Sequence, residues 1–346
     1  GARETALNVL IACRKNDGWS NGVLKDYLSR DGLDRREAAL AARLCYGVVQ
    51  NRFLLDFYLQ QLLKGKLKDL HPAVRDILHL GLYQIYEMDK IPESAAVNES
   101  VALAKKYCPK QRFASGLVNG VLRNAVRTKG QLKAPVTLED RYSHPKALID
   151  LLRSYVGEDR LEPMLAANNA MPDTVVQVNT LKISAEELLE KLAAEGVSAT
   201  AHQWLKDSLV LTGTGNLEKL SSFGQGLFYV QDTAAKLSVL CAQIPENSHV
   251  LDCCAAPGGK STQIAGRLEG KGFLLCNEFN PKRARILSRN IERMGIANAL
   301  VTNEHPQRLA ERFSGWFDRV LIDAPCSGEG MFRKEEAAVT DWSEET

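Results

Sequence analysis

Residues 250–268 read VLDCCAAPGGKSTQIAGRL: a short apolar run, a turn holding Pro257, Gly258 and Gly259, then a helical pattern. A strand that ends in a glycine turn and feeds a helix is the first half of a βαβ unit. The alternation then repeats. Gly272–Asn277 reads as a strand, Pro281–Met294 as a helix, Ala299–Thr302 as a strand, Gln307–Phe313 as a helix and Phe317–Asp323 as a strand. Strands separated by helices of this length predict a parallel, doubly wound α/β sheet, with ligands at the carboxyl ends of the strands. Upstream, Leu227–Val230 reads as a strand and Asp232 as the cap of a helix running to Cys241. This domain is therefore expected over residues 226–346.

Three segments fall at the strand ends: Cys254-Ala-Ala-Pro-Gly-Gly-Lys260, Glu278, and Asp323-Ala-Pro-Cys326. Paired glycines let backbone approach a ligand, and a helix N-terminus favours its carboxylate. Glu278 is placed to accept both hydroxyls of a ribose. An adenosine joined to an amino acid fits this set. Gly258-Gly259-Lys260-Ser261-Thr262 also invites a P-loop ATPase reading, but Cys254 stands where that loop needs its first glycine.

Working outward, residues 1–133 read as a helical bundle. Val74, Ile77, Leu78, Gly81, Leu82, Ile85 and Tyr86 form one amphipathic face, and similar stripes start at Leu40, Leu54 and Leu117. Residues 140–225 read as a small α/β module, with a strand at Thr174–Val178, another near Leu209–Leu211, and a helix opened by Ser184 and Glu187. Between Glu99 and Glu139 there is no acidic residue, yet Lys105, Lys106, Lys110, Arg112, Arg123, Arg127, Lys129 and Lys133 lie there. Such a stretch is the electrostatic footprint of a nucleic-acid contact.

Composition bounds the rest. The 346 residues are 45% apolar and 25% charged with a net charge of +2, as in a globular protein of two or three domains. No apolar run is long enough to span a membrane, and no signal peptide opens the chain. The eight cysteines form no C-x-x-C pair, so no metal site or disulfide framework is expected, and a reducing cytoplasm is the expected setting. Cys253 and Cys254 would point to opposite faces if their strand continued. The histidines, His305 among them, show no ligand spacing.

Asp252-Cys-Cys-Ala-Ala-Pro-Gly-Gly-Lys260 and Asp323-Ala-Pro-Cys-Ser-Gly328 resemble motifs of the RNA 5-methylcytosine methyltransferases, the family of ribosomal RNA small subunit methyltransferases B and F. His71–Arg127 is similar to the NusB-like RNA-binding domain of the B type, and Val178–Leu181 and Val230–Asp232 also match. Thr302–Pro306 and Gly328–Lys334 look more like the F type. The resemblance implies an all-α NusB-like bundle, a small α/β module and a Rossmann-like domain dependent on S-adenosylmethionine. It implies that Cys254, Ala255, Ala256, Pro257, Gly258, Gly259, Lys260, Glu278, Asn303 and Asp323 contact the cofactor. Ribosomal RNA is the implied partner, met by Lys105, Lys106, Lys110, Arg112, Arg123 and Arg127, and the enzyme is expected to be monomeric. Arg283 is read as a support for the substrate or the sheet end, or as a plain surface residue.

In that family a cysteine thiolate adds to carbon 6 of cytosine, which makes carbon 5 nucleophilic. The resemblance gives Asp323 and Cys326 catalytic roles, with Asp323 facing both the methionine end and the cytosine edge. In RNA enzymes of this type a second cysteine, in a later Thr-Cys motif, is the attacking group, and none follows Cys326 here. The chain is accordingly expected to be a fragment that binds cofactor and RNA without turnover; as a whole enzyme it would have to use Cys326. A non-catalytic RNA-binding protein is the other reading.

Overall fold

The computed structural model describes residues 1–15, 21–170 and 173–325, and the chain divides into two compact units after residue 170. The first unit is helical: α1 (Ala2–Lys15), α2 (Asn21–Arg30), α3 (Arg35–Gln50), α4 (Arg52–Leu62), α5 (Pro72–Glu87), α6 (Glu93–Tyr107), α7 (Ala114–Arg127), α8 (Leu138–Tyr142), α9 (Lys146–Val156) and α10 (Glu158–Asn169). Pro72 opens α5, where a missing N–H costs nothing. The apolar stripe read from the sequence makes α5 the core helix, with Ile77, Leu78 and Leu82 wholly buried. Helices α8 to α10 pack with this unit: Ser143 Oγ accepts from the Leu54 N–H (3.3 Å), and Gln50 Nε2 donates to Asn169 O (2.5 Å).

The second unit holds β1 (Thr174–Val178), α11 (Ala185–Ala194), β2 (Ser198–Ala201), β3 (Ser208–Thr212), α12 (Ser221–Gly224), β4 (Phe228–Val230) and α13 (Thr233–Cys241). Then come β5 (His249–Asp252), α14 (Gly259–Leu268), β6 (Phe273–Asn277), α15 (Pro281–Met294), β7 (Ala299–Thr302), α16 (Pro306–Arg312) and β8 (Arg319–Leu321). Among the described residues two four-stranded sheets result, ordered β2-β3-β1-β4 and β7-β6-β5-β8. The first is antiparallel and the second wholly parallel. Ser184 and Glu187 form the expected capping box on α11.

One strand changes company. Phe228–Val230, read with the alternating run, pairs antiparallel with β1 (Val176↔Val230, Val178↔Phe228) and completes the small sheet. The cause is packing: the Phe228 ring is wholly buried in the small module, edge-on to Phe223 with centroids 5.7 Å apart. In the parallel sheet, Ile264, Ala265 and Leu268 of α14 and Leu287, Ile291 and Met294 of α15 bury against Val250, Leu274 and Cys276. This clamp of two helices fixes the strand ends on which the site is built.

Candidate cofactor site and RNA surface

From β5 the chain moves outward through β6 and β7, then returns to the other side of β5 as β8. The crevice at such a reversal is where open parallel sheets take their ligands. Here the predicted segments meet at the carboxyl ends of β5, β6, β7 and β8.

The glycine turn is built for close approach. Gly258 sits at φ +116°, and a Cβ there would lie 3.2 Å from Leu287 Cδ1. A Cβ on Gly259 would meet Tyr229 Cε1 at 3.0 Å and Gln231 Cδ at 3.2 Å. Helix α15 grips the turn by its carbonyls: Arg283 Nη2 donates to Ala256 O and Asn290 Nδ2 to Pro257 O, both at 2.8 Å. Arg283 is thus a support for the sheet end. Buried Asn277 ties three strands together: its Nδ2 donates to Cys253 O and Glu304 O, and its Oδ1 accepts from Thr302 Oγ1 and the Glu304 N–H.

Glu278, directly after β6, is 5% exposed. Its Oε1 accepts from the Asn280 N–H (2.9 Å), whereas Oε2 receives no hydrogen bond from the described residues; Arg283 Nη1 stands 3.6 Å away. A buried carboxylate oxygen without a donor costs free energy unless a ligand supplies one. Asn303, after β7, uses Nδ2 to hold the carbonyls of Glu278 (2.7 Å) and Phe279 (2.8 Å). It fixes the acid's backbone. Lys260 Nζ meets Asp323 Oδ2 at 2.6 Å, joining the turn after β5 to the end of β8. Cys326 and residues 328–334 lie outside the described residues, so the second motif is described through Asp323, Ala324 and Pro325 alone.

Strand β5 ends at Asp252, so Cys253 and Cys254 do not alternate across it. Burial, then Cys254, pushes the Cys253 thiol up to about 11, and burial also raises Cys254, so neither is poised as a thiolate.

The sequence did not single out three residues. Asp252 is wholly buried with Oδ2 accepting from Ser261 Oγ (2.7 Å), Oδ1 receives no bond from the described residues, and burial lifts its pKa to about 6. Gln231 is 8% exposed, and neither amide atom has a described partner. Phe279 presents a 64% exposed ring beside Glu278. Asp252 carried a signal as a carboxylate ending an apolar strand, and Gln231 lay inside the Val230–Asp232 match.

On the helical unit all six predicted RNA contacts are exposed. Lys106 pairs with Glu4, Arg123 Nε donates to Asn119 Oδ1 (2.9 Å) and Arg127 Nη2 to Asn124 Oδ1 (2.7 Å). Phe113, 77% exposed, lies among them with the Arg112 guanidinium 5.8 Å from its ring centre.

A glycine turn at a helix start, a buried acid with an open acceptor after the next strand, and a lysine–aspartate pair at the reversal suit an adenosine–amino-acid cofactor. They define a Rossmann-like methyltransferase domain. Family models agree: the NusB family matches residues 1–127, the RsmF/B-like ferredoxin-like domain 144–218, and 16S rRNA methyltransferase RsmB/F 239–346. The probable ribosomal RNA small subunit methyltransferase B of Bacillus subtilis is 30% identical over 96% of this chain and 75% of its own. That of Pseudomonas putida is 32% identical with the same coverage. The solved protein PH0851 shares the fold, with a TM-score of 0.72 and 22% identity over 93% of this chain and 73% of its own. A methyltransferase homologue from Pyrococcus horikoshii gives 0.50 and 27% over 56% of this chain and 63% of its own. The chain belongs to the ribosomal RNA small subunit methyltransferase B family and is an S-adenosylmethionine-dependent ribosomal RNA methyltransferase.

Proposed function

We propose that the enzyme methylates carbon 5 of a cytosine in small-subunit ribosomal RNA. The observation that carries this reading is the Lys260–Asp323 pair at 2.6 Å, which joins the cofactor turn to the Asp-Ala-Pro-Cys segment. When bound, S-adenosylmethionine supplies an electrophilic methyl group. Glu278 accepts hydrogen bonds from the ribose hydroxyls, while the turn from Cys254 to Lys260 holds the amino-acid end. Asn303 acts by keeping Glu278 in place. Asp323 accepts from the cytosine amino group and orients the ring. A cysteine thiolate adds to carbon 6, and loss of the carbon 5 proton later expels it. Cys326 is assigned to this cysteine chemistry by its place after Pro325.

The labour divides over three domains: a helical RNA-binding domain at 1–133, a small RNA-contacting module at 140–225 whose leading helices α8 to α10 pack with the helical unit, and the catalytic domain at 226–346, whose first strand β4 completes the small sheet. The enzyme is proposed to work as a monomer in the cytoplasm, where its ribosomal RNA substrate is made. The modified position is read by mass spectrometry of small-subunit ribosomal RNA after deleting the gene. One 5-methylcytidine is expected to vanish and to return on complementation, but not with Asp323→Ala. An unchanged 5-methylcytidine content, or loss of a methyl group elsewhere, overturns the assignment.

The helical domain is expected to bind RNA chiefly through phosphates, using Lys105, Lys106, Lys110, Arg112, Arg123 and Arg127. Each single-strand phosphate contact contributes about −0.7 to the slope of log affinity against log salt. The double variant Arg123→Glu, Arg127→Glu should therefore flatten the slope by about 1.4 and weaken binding at low salt. Filter binding over a salt series measures both, and an unchanged slope rejects the surface.

A further inference from the structure

Buried polar atoms without partners gather around one turn. Gln231 Nε2 and Oε1, Asp252 Oδ1 and Glu278 Oε2 make no hydrogen bond with the described residues, and all belong to side chains bordering Cys254–Lys260. Native interiors hold few such atoms, and each asks for a water, an ion or a ligand. Ribose hydroxyls would answer Glu278. Nothing in the apoprotein answers Gln231.

The backbone of Gln231 belongs to the small sheet: directly after β4, its N–H donates to Val175 O of β1 at 3.0 Å. Its side chain belongs to the cofactor turn. A Cβ added to Gly259 would lie 3.2 Å from both Gln231 Cδ and Oε1, so the amide rests against the residue that opens α14. The small sheet is pinned in this position. Asn179 Nδ2 donates to Gly226 O and Met294 O, both at 2.8 Å, and Lys182 Nζ to Gln225 O (2.8 Å) and Arg293 O (2.9 Å). These bonds tie the loop after β1 and the approach to β4 to the end of α15, the helix whose Arg283 and Asn290 grip the turn. An amide held so firmly gains nothing in the apoprotein, since an apolar side chain of the same shape would fill the space without the desolvation cost.

We propose that Gln231 is a binding residue for the amino-acid end of S-adenosylmethionine, supplied to the catalytic domain by the small module. This assignment, which rests on the cofactor reading of the turn, adds a contact from outside the parallel sheet. Chemistry and position both choose the amino-acid end over the adenosine. The amide offers donors and an acceptor on one flat group, and an α-amino acid brings a carboxylate and an ammonium to meet them. Gly259 is the first residue of the ten-residue helix α14, whose N-terminus favours the carboxylate. Glu278, one strand further along, serves the ribose. Cofactor binding thereby depends on a module otherwise read as an RNA contact.

Two ligands that differ at this end test the assignment: S-adenosylhomocysteine carries the amino acid, and 5′-methylthioadenosine lacks it. Gln231→Met keeps the volume and removes both polar atoms. In calorimetry it should bind S-adenosylhomocysteine about tenfold more weakly, the worth of hydrogen bonds to charged groups, and 5′-methylthioadenosine as before. Glu278→Ala should weaken both, because both carry the ribose. The Gln231→Met apoprotein should unfold at an equal or higher urea concentration, since an unsatisfied amide has left the interior. A purely structural glutamine gives the reverse, lower stability with unaltered affinity. In the unaltered protein the side-chain amide resonance of Gln231 should move with S-adenosylhomocysteine and not with 5′-methylthioadenosine, a readout that needs no variant to fold. Equal loss of both ligands, unchanged affinity for S-adenosylhomocysteine, or a resonance that ignores it overturns the proposal alone. If the unaltered protein binds no S-adenosylhomocysteine, the cofactor reading of the turn falls, and the role of Gln231 with it.

Discussion

Glu278→Ala should weaken binding of S-adenosylhomocysteine about ten- to a hundredfold, the worth of ~1.5–3 kcal/mol for hydrogen bonds to a charged group. The apoprotein should unfold at nearly the same denaturant concentration. The two expectations rest on different atoms of one side chain. Oε1 caps the Asn280 N–H, a local bond worth about 1 kcal/mol, and its loss is the structural cost. Oε2 receives no hydrogen bond from the described residues and faces only the half-exposed Arg283 Nη1 at 3.6 Å, so in the apoprotein it contributes little that alanine would remove. Its value appears when a ribose supplies hydroxyl donors. Isothermal calorimetry with the cofactor product, beside a urea titration of the apoprotein, separates the two. An affinity within twofold of the unaltered protein would remove Glu278 from the cofactor site. A large loss of apoprotein stability would instead make it a structural acid.

The second large effect concerns Lys236, which no feature of the sequence marks. Its side chain is wholly buried on α13, where Nζ donates to Val176 O (3.0 Å) of β1 and Ser208 Oγ (2.9 Å) of β3. Gln263 Nε2 of α14 donates to the Lys236 carbonyl at 3.2 Å, so this residue joins the antiparallel sheet to the cofactor helix. Burial pulls the ammonium down to about 8, against the opposing attraction of Asp232. An unfolded lysine takes up its proton near 10.4, so between about 8 and 10 the unfolded chain binds more protons than the folded one. Stability should therefore rise with pH across that window, by about 1.4 kcal/mol per unit. Urea unfolding of the unaltered protein and of Lys236→Met, at pH 7.5 and 9.5, isolates the contribution. The difference between them should shift in favour of the unaltered protein by about 2 kcal/mol at the higher pH. Parallel pH profiles would mean that Lys236 does not change charge on folding.

The charged surface shows how distant partners revise a local reading. Eight cations without an acid between Glu99 and Glu139 read as one unbroken patch. In the folded unit Glu4 comes to Lys106 across 102 residues and Glu93 to Lys129 across 36. The patch keeps Lys105, Lys110, Arg112, Arg123 and Arg127 on its exposed face, and gains the exposed ring of Phe113. Aromatic rings interleaved with cations suit single-stranded nucleic acid, because bases stack on the one while phosphates pair with the other.

Residues 250–325 declared their fold through period and punctuation alone. Alternating strands and helices, glycine at a turn and proline at a helix start are local properties, and α14, α15 and β7 lie where the pattern put them. The amphipathic stripe of α5 is legible for the same reason, since a repeat of 3.6 residues needs only one buried face to explain it. Motif spacing likewise placed Glu278 and the glycine turn at neighbouring strand ends. Tertiary structure alone decided which sheet Phe228–Val230 would join, because pairing depends on a partner about fifty residues away and on the pocket awaiting Phe228. It also turned the Asn303 amide onto the backbone of Glu278, set Arg283 and Asn290 on the carbonyls of the turn, and buried Lys236. These are contacts between side chains and backbone far apart in the chain. No repeat encodes them, and they exist only once packing has brought polar groups where water cannot satisfy them.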